Sequence, residues 1–90
     1  MTHYLDKVTM YVNTIEFGGR KAAINSYSKE FPVLYSRRDA QRERWAAQYP
    51  NAIVRTEEMT RADCVSLFSD DYFIPLRNLA HEIGEASRGA

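Results

Sequence analysis

Two histidines, one cysteine and two pairs of adjacent acids are the residues of this chain best suited to catalysis or metal binding. Histidine acts as general base and metal ligand near neutral pH. His3 stands near the start of the chain, and His81 precedes Glu85 by four residues. On a helix such a pair shares one face, so His81 and Glu85 can turn toward one cation. A zinc site needs three or four ligands. Asp63, Cys64 and Asp70 do not fall at a spacing that completes the set, and neither a metal nor a cofactor is expected. Cys64 lies in an apolar stripe, the setting of an inert buried thiol. Glu57-Glu58 and Asp70-Asp71 are paired carboxylates, whereas acid–base catalysis needs two carboxylates in different environments facing one substrate. Gly18-Gly19 lacks the Lys-Ser/Thr that follows a phosphate loop. The chain therefore reads as non-enzymatic.

Its most distinctive segment is Arg37, Arg38, Gln41, Arg42, Arg44, Trp45 and Tyr49. On a helix Arg38, Gln41, Arg42, Trp45 and Tyr49 follow spacings of three and four, so they share a face. Interface hot spots are enriched in Trp, Tyr and Arg. A partner-binding surface is expected there, with Gln48 alongside. Trp45 also suits the role of core anchor for this helix, with the arginines forming its wet side.

The expected function is a small non-enzymatic protein-interaction module that binds a larger protein complex and inhibits or adapts it. A short compact chain of this kind fits inhibitors carried by phages and other mobile elements, those of anti-CRISPR type among them. The alternative is a nucleic-acid-binding module, with the Arg/Trp/Tyr helix at 37–49 set on a phosphate backbone or stacked on unpaired bases. Against that stand a net charge of zero and a pI near 6.7, where nucleic-acid-binding domains commonly exceed about 9. A homo-oligomer is a further expectation, because a small sheet can leave an edge strand open to a second copy.

The charge is polarised along the chain. Residues 1–55 hold nine basic and five acidic side chains, while residues 56–90 hold three and seven. Either the two halves neutralise each other in the fold or each end draws a charged partner. Nine of the twelve basic residues are arginine, which forms planar bidentate and stacked contacts that lysine does not. With one cysteine and no intramolecular disulfide, the chain suits a reducing compartment. It has no run of the roughly 20 apolar residues that a membrane helix needs, and no basic start followed by an apolar run. A cytoplasmic protein with no membrane association is expected, with residues 1–90 as a single domain.

These side chains have to be positioned by short elements. Residues 7–17 are dense in β-branched and aromatic types, with Val8, Met10 and Val12 alternating with Thr9, Tyr11 and Asn13, which predicts a strand. Gly18-Gly19 can take the positive φ of a tight hairpin. Residues 20–31 read either as a returning strand over 21–28, with Ala22, Ile24 and Ser26 on one side, or as a short helix with Ile24, Tyr27 and Phe31 on one face; the strand is preferred because the Gly-Gly hairpin needs a partner for 7–17. Residues 32–35 read as a short apolar strand. Ser36-x-x-Asp39 resembles a helix start for a helix over 37–48, with Ala40, Trp45 and Ala47 as its apolar side. A strand follows over 52–56. Thr60-x-x-Asp63 opens a helix near 61–68. Asp70 and Asp71 stand at a cap position before a last helix over 72–87, where Phe73, Leu76, Leu79, Ala80 and Ile83 recur at helical spacing. The class is α+β: a small antiparallel or mixed sheet with helices over one face.

Overall fold

A computed structural model describes residues 7–68 and 70–88 of the chain, with side chains for 7–68 and 76–86. The fold is α+β. Strand β1 (Thr9–Phe17) and strand β2 (Arg20–Ser28) form a hairpin. A 3-10 turn (Pro32–Leu34) leads into helix α1 (Tyr35–Gln48), followed by strand β3 (Ile53–Thr60). Helices α2 (Arg61–Leu67) and α3 (Asp70–Arg88) complete the described chain. The sheet is antiparallel with order β2-β1-β3, so the first strand lies at the centre.

The hairpin forms for the expected reason. Gly18 and Gly19 have φ of 61° and 78°, left-handed values that glycine takes without a Cβ penalty. Phe17 pairs with Arg20 directly across this two-residue turn. Between Asn13 and Thr14 the β1–β2 register slips: Asn13 faces Asn25 and Thr14 faces Ala23. Ile24 is the extra residue of a β-bulge. The bulge breaks the expected alternation of β2. Ala22 and Ile24 pack on one cluster, while Ser26, beyond it, meets Cys64 on the opposite face.

Both faces of the sheet are covered, rather than one, because β1 is apolar on both sides. Ile15 lies with Ala22, Leu79 and Ile83 in a buried cluster, flanked by Trp45 of α1, Tyr49 just after it and Leu76 of α3. On the other face Val12, Ala23 and Cys64 form a second cluster, flanked by Met10, Met59, Leu67 and Phe68. Thus α1 and α3 share one face and α2 covers the other.

The expected strand at 32–35 does not form. Pro32 fixes φ and has no N–H for a ladder, so it opens a helical turn at a first position, where a donor would be idle in any case. Leu34 N–H donates to the Phe31 carbonyl at 3.0 Å, and α1 starts at Tyr35. Ser36 consequently lies inside the first turn. The cap position belongs to Leu34, which contributes no side-chain bond. Thr60 does cap α2: its hydroxyl accepts from the Asp63 N–H at 3.2 Å. The expected caps Asp70 and Asp71 and the stripe residue Phe73 lie outside the described side chains. No described helix is long and apolar enough to cross a membrane.

Candidate functional site

The expected site residues lie on α1 and at its end, and the structure divides them. Arg38, Gln41, Arg42, Trp45 and Tyr49 do share a face, and that face is turned to the sheet. The centre of the contact is Asn13, fully buried in β1. Its amide donates to the Arg38 carbonyl at 2.8 Å and to Gln41 Oε1 at 3.1 Å. Its Oδ1 accepts from the Thr56 hydroxyl at 2.7 Å. Thr56 in turn accepts from Arg42 Nη1 at 2.9 Å, and the Tyr27 hydroxyl donates to Gln41 Oε1 at 3.3 Å. Five side chains from all three strands and α1 thereby form one chain of hydrogen bonds. A buried amide needs such partners, because leaving it unpaired costs about 1–3 kcal/mol.

Arg38 is held by rings as well. Its guanidinium carbon stands 4.4 Å from the Tyr35 centroid and 4.7 Å from that of Tyr11. The two rings meet edge to face at 5.2 Å. Burial, with the Tyr11 hydroxyl next to it, pushes the Tyr35 phenol above its ordinary value against the pull of Arg38 and Lys29. Arg42 also pairs with Asp39 at 3.3 Å. Trp45 and Tyr49, with ring centroids 5.3 Å apart, pack on the Ile15 cluster. Gln48 is exposed and donates to the Tyr49 hydroxyl at 3.4 Å.

Arg37 and Arg44 point the other way. With Val33, Ala40 and Ala47, all exposed, they form an outward stripe at spacings of four and three. Ala40 and Ala47 are therefore not the apolar side of α1: its sheet contact is made by the larger polar and aromatic side chains. Val33 is 79% and Phe31 55% exposed, the tip of the turn that precedes the helix. This tip is braced from behind. The Tyr35 hydroxyl donates to the Lys29 carbonyl at 2.9 Å, and Lys29 stands over the Tyr11 ring and pairs with Glu58. A strand over 32–35 would place Val33 in the sheet, which hides its exposure; Pro32 is the signal that argues otherwise.

Among the described residues the remaining chemistry-bearing side chains do not converge. His81 and Glu85 come within 3.7 Å on an exposed face of α3. Among the described residues no three of His, Cys, Asp and Glu come together as a metal site. Cys64 is 4% exposed, and burial pushes its thiol above the ordinary value despite a hydrogen bond with Ser26. A raised thiol pKa means little thiolate and hence low reactivity. The charge asymmetry is answered within the fold: Lys21 pairs with Glu57 at 3.0 Å, and Arg20 with Glu82 and Lys29 with Glu58 bridge the two halves likewise. Glu57 is pushed up by burial, but the Thr14 hydroxyl and Lys21 outweigh that and hold it below its usual value.

Comparison of the chain with family models, with curated proteins and with solved structures gives no match.

Proposed function

We propose that this protein is a non-enzymatic interaction module that docks on a larger protein complex and inhibits or adapts it, as inhibitors carried by phages and mobile elements do. The observation that carries this reading is the braced apolar tip, Phe31 and Val33, continuing into the exposed Arg37 and Arg44 of α1. Large apolar residues on a turn held in place lose little entropy on binding. Arginine beside them adds bidentate contacts to carboxylates. The partner surface that suits this stripe is an apolar pocket rimmed by acids. Arg38 and Arg42 do not belong to the docking surface in this reading, since their donors serve the sheet contact.

The test is capture of tagged protein from lysate of its native host, comparing wild type with Val33→Asp and with Arg37→Glu/Arg44→Glu. All three positions are exposed, so folding should be unchanged by circular dichroism. A stoichiometric protein partner that survives nuclease and is lost with both variants is the expected result. Capture by the variants equal to wild type would remove this surface from consideration. Capture abolished by nuclease or by moderate salt would turn the same arginines into phosphate contacts.

A further inference from the structure

A three-stranded sheet has two edges, and they differ here. The β2 edge is bulged at Ile24 and begins with Arg20 and Lys21. Bulges and basic side chains are the usual means of discouraging further pairing. The β3 edge has no bulge, and its charged side chains, Arg55, Glu57 and Glu58, carry both signs rather than one. Its eight residues, Ile53–Thr60, pair with β1 in unbroken register and contain no proline or glycine. Ile53 on this strand is 54% exposed.

Two copies of one edge strand that meet about a two-fold axis run antiparallel and match residues of the same sheet face. The axis must then pass beside a residue, not between two. Setting it at Glu57 opposes Glu57 to its own copy, and setting it at Arg55 opposes two arginines; like charges directly across a ladder are unfavourable. Setting it at Thr56 gives a different result. Arg55 of each copy then faces Glu57 of the other, and Ile53 faces Met59. On the opposite sheet face Val54 meets Glu58, whose carboxylate is already held by Lys29.

The charges around this register complement each other. Within one chain Arg55 Nη2 donates to Glu16 at 2.9 Å, and Glu57 accepts from Lys21 at 3.0 Å. All four side chains lie on the α2 face of the sheet, as the pairing of β1 with its neighbours requires. Across the two-fold axis they would alternate in sign: Lys21 and Glu57 of one copy, then Arg55 and Glu16 of the next. Arg55 retains donors for a second carboxylate, since a guanidinium carries five N–H groups. We propose that the β3 edge is a self-association site: a second copy of this chain adds antiparallel at β3, with Thr56 on the axis, to make one six-stranded sheet. This inference is independent of the proposed docking stripe, which lies on the outer side of α1.

The test uses charge exchange between copies. Arg55→Glu puts acids opposite acids in its own dimer, and Glu57→Arg puts arginines opposite arginines. In a mixture of the two, every facing pair is again opposite in sign. Sedimentation equilibrium at low salt should show a wild-type dimer, each single variant weakened about tenfold or more, and dimer restored in the equimolar mixture. Circular dichroism checks that each variant folds. A wild type that stays monomeric to about 100 µM, or folded variants whose mixture is no more dimeric than either alone, would overturn the proposal. Ile53→Lys is the second variant, because its exposed position leaves folding intact; it should also weaken the dimer by facing a lysine to Met59, and an unchanged dimer would overturn the register.

Discussion

The two helices on the same face of the sheet are attached by different physics. Helix α3 is seated by aliphatic burial: Leu79 and Ile83 close over Ile15 and Ala22. Helix α1 has no fully buried residue at all. Beside the half-buried Trp45, it is seated by Asn13, Gln41, Thr56 and Arg42 in a hydrogen-bonded chain, with Arg38 between two tyrosines. Apolar burial is nearly indifferent to precise geometry, and contributes in proportion to area. A buried polar chain contributes less in net terms but holds one orientation, because any other leaves donors unpaired. The fold thus uses α3 for stability and α1 for a defined pose. That pose is what presents Val33, Arg37 and Arg44 outward together.

The difference predicts an order of mutational effects. The largest belongs to α3. Leu79→Ala removes a side chain that is 2% exposed and leaves a cavity between α3 and the sheet. Such truncations cost about 2–5 kcal/mol, a large share of the roughly 5–15 kcal/mol that holds a domain of ordinary stability. Thermal or urea unfolding measures it directly. A cost below about 1 kcal/mol would mean that α3 is not seated by this cluster.

Next comes the polar seam. Asn13→Ala leaves the Arg38 carbonyl, Gln41 and the Thr56 hydroxyl each short of a partner, for about 1–3 kcal/mol. The expected signature is also different in kind. Trp45 is the only tryptophan in the chain and sits on α1 against the core. Its emission should shift to the red in folded Asn13→Ala as α1 loosens, and should move less in folded Leu79→Ala. Equal shifts would break the distinction between the two seams.

This seam also explains what could be read in the sequence and what could not. Local signals were reliable where one interaction within a few residues decides the outcome. Gly18-Gly19 marks the hairpin, Thr60 with Asp63 marks the start of α2, and the Leu76, Leu79, Ile83 spacing marks α3. The spacing of Arg38, Gln41, Arg42, Trp45 and Tyr49 also identified one real helix face. Its direction was not legible, because an inward polar face and an outward one have the same composition. The deciding partners, Asn13 and Thr56, stand 28 residues before Gln41 and 14 after Arg42. The turn at 32–34 is misleading for the opposite reason: the apolar Val33 and Leu34 imitate a buried strand, and only Pro32, which denies it a ladder bond, argues against one.

The smallest expected effect separates the two sides of α1 using one residue type. Arg42 and Arg44 are two positions apart, so they lie on different faces of the helix. Arg42→Ala loses the bond to Thr56 and the pair with Asp39, whose carboxylate is itself substantially exposed. One neutral-acceptor hydrogen bond and one surface ion pair together are worth about 1 kcal/mol. Arg44→Ala removes an exposed side chain, and such changes usually stay within about 0.5 kcal/mol. With a urea m-value of about 1–3 kcal/mol/M for a small protein, Arg42→Ala should lower the unfolding midpoint by roughly 0.3–1 M while Arg44→Ala leaves it in place. The measurement belongs at low protein concentration, so that self-association does not add to apparent stability. Partner capture should reverse the order, with Arg44→Ala weakening it and Arg42→Ala retaining it. If instead Arg42 proves silent in unfolding and decisive in capture, the sheet-facing side of α1 must open for binding, and the polar seam is a latch rather than a seat.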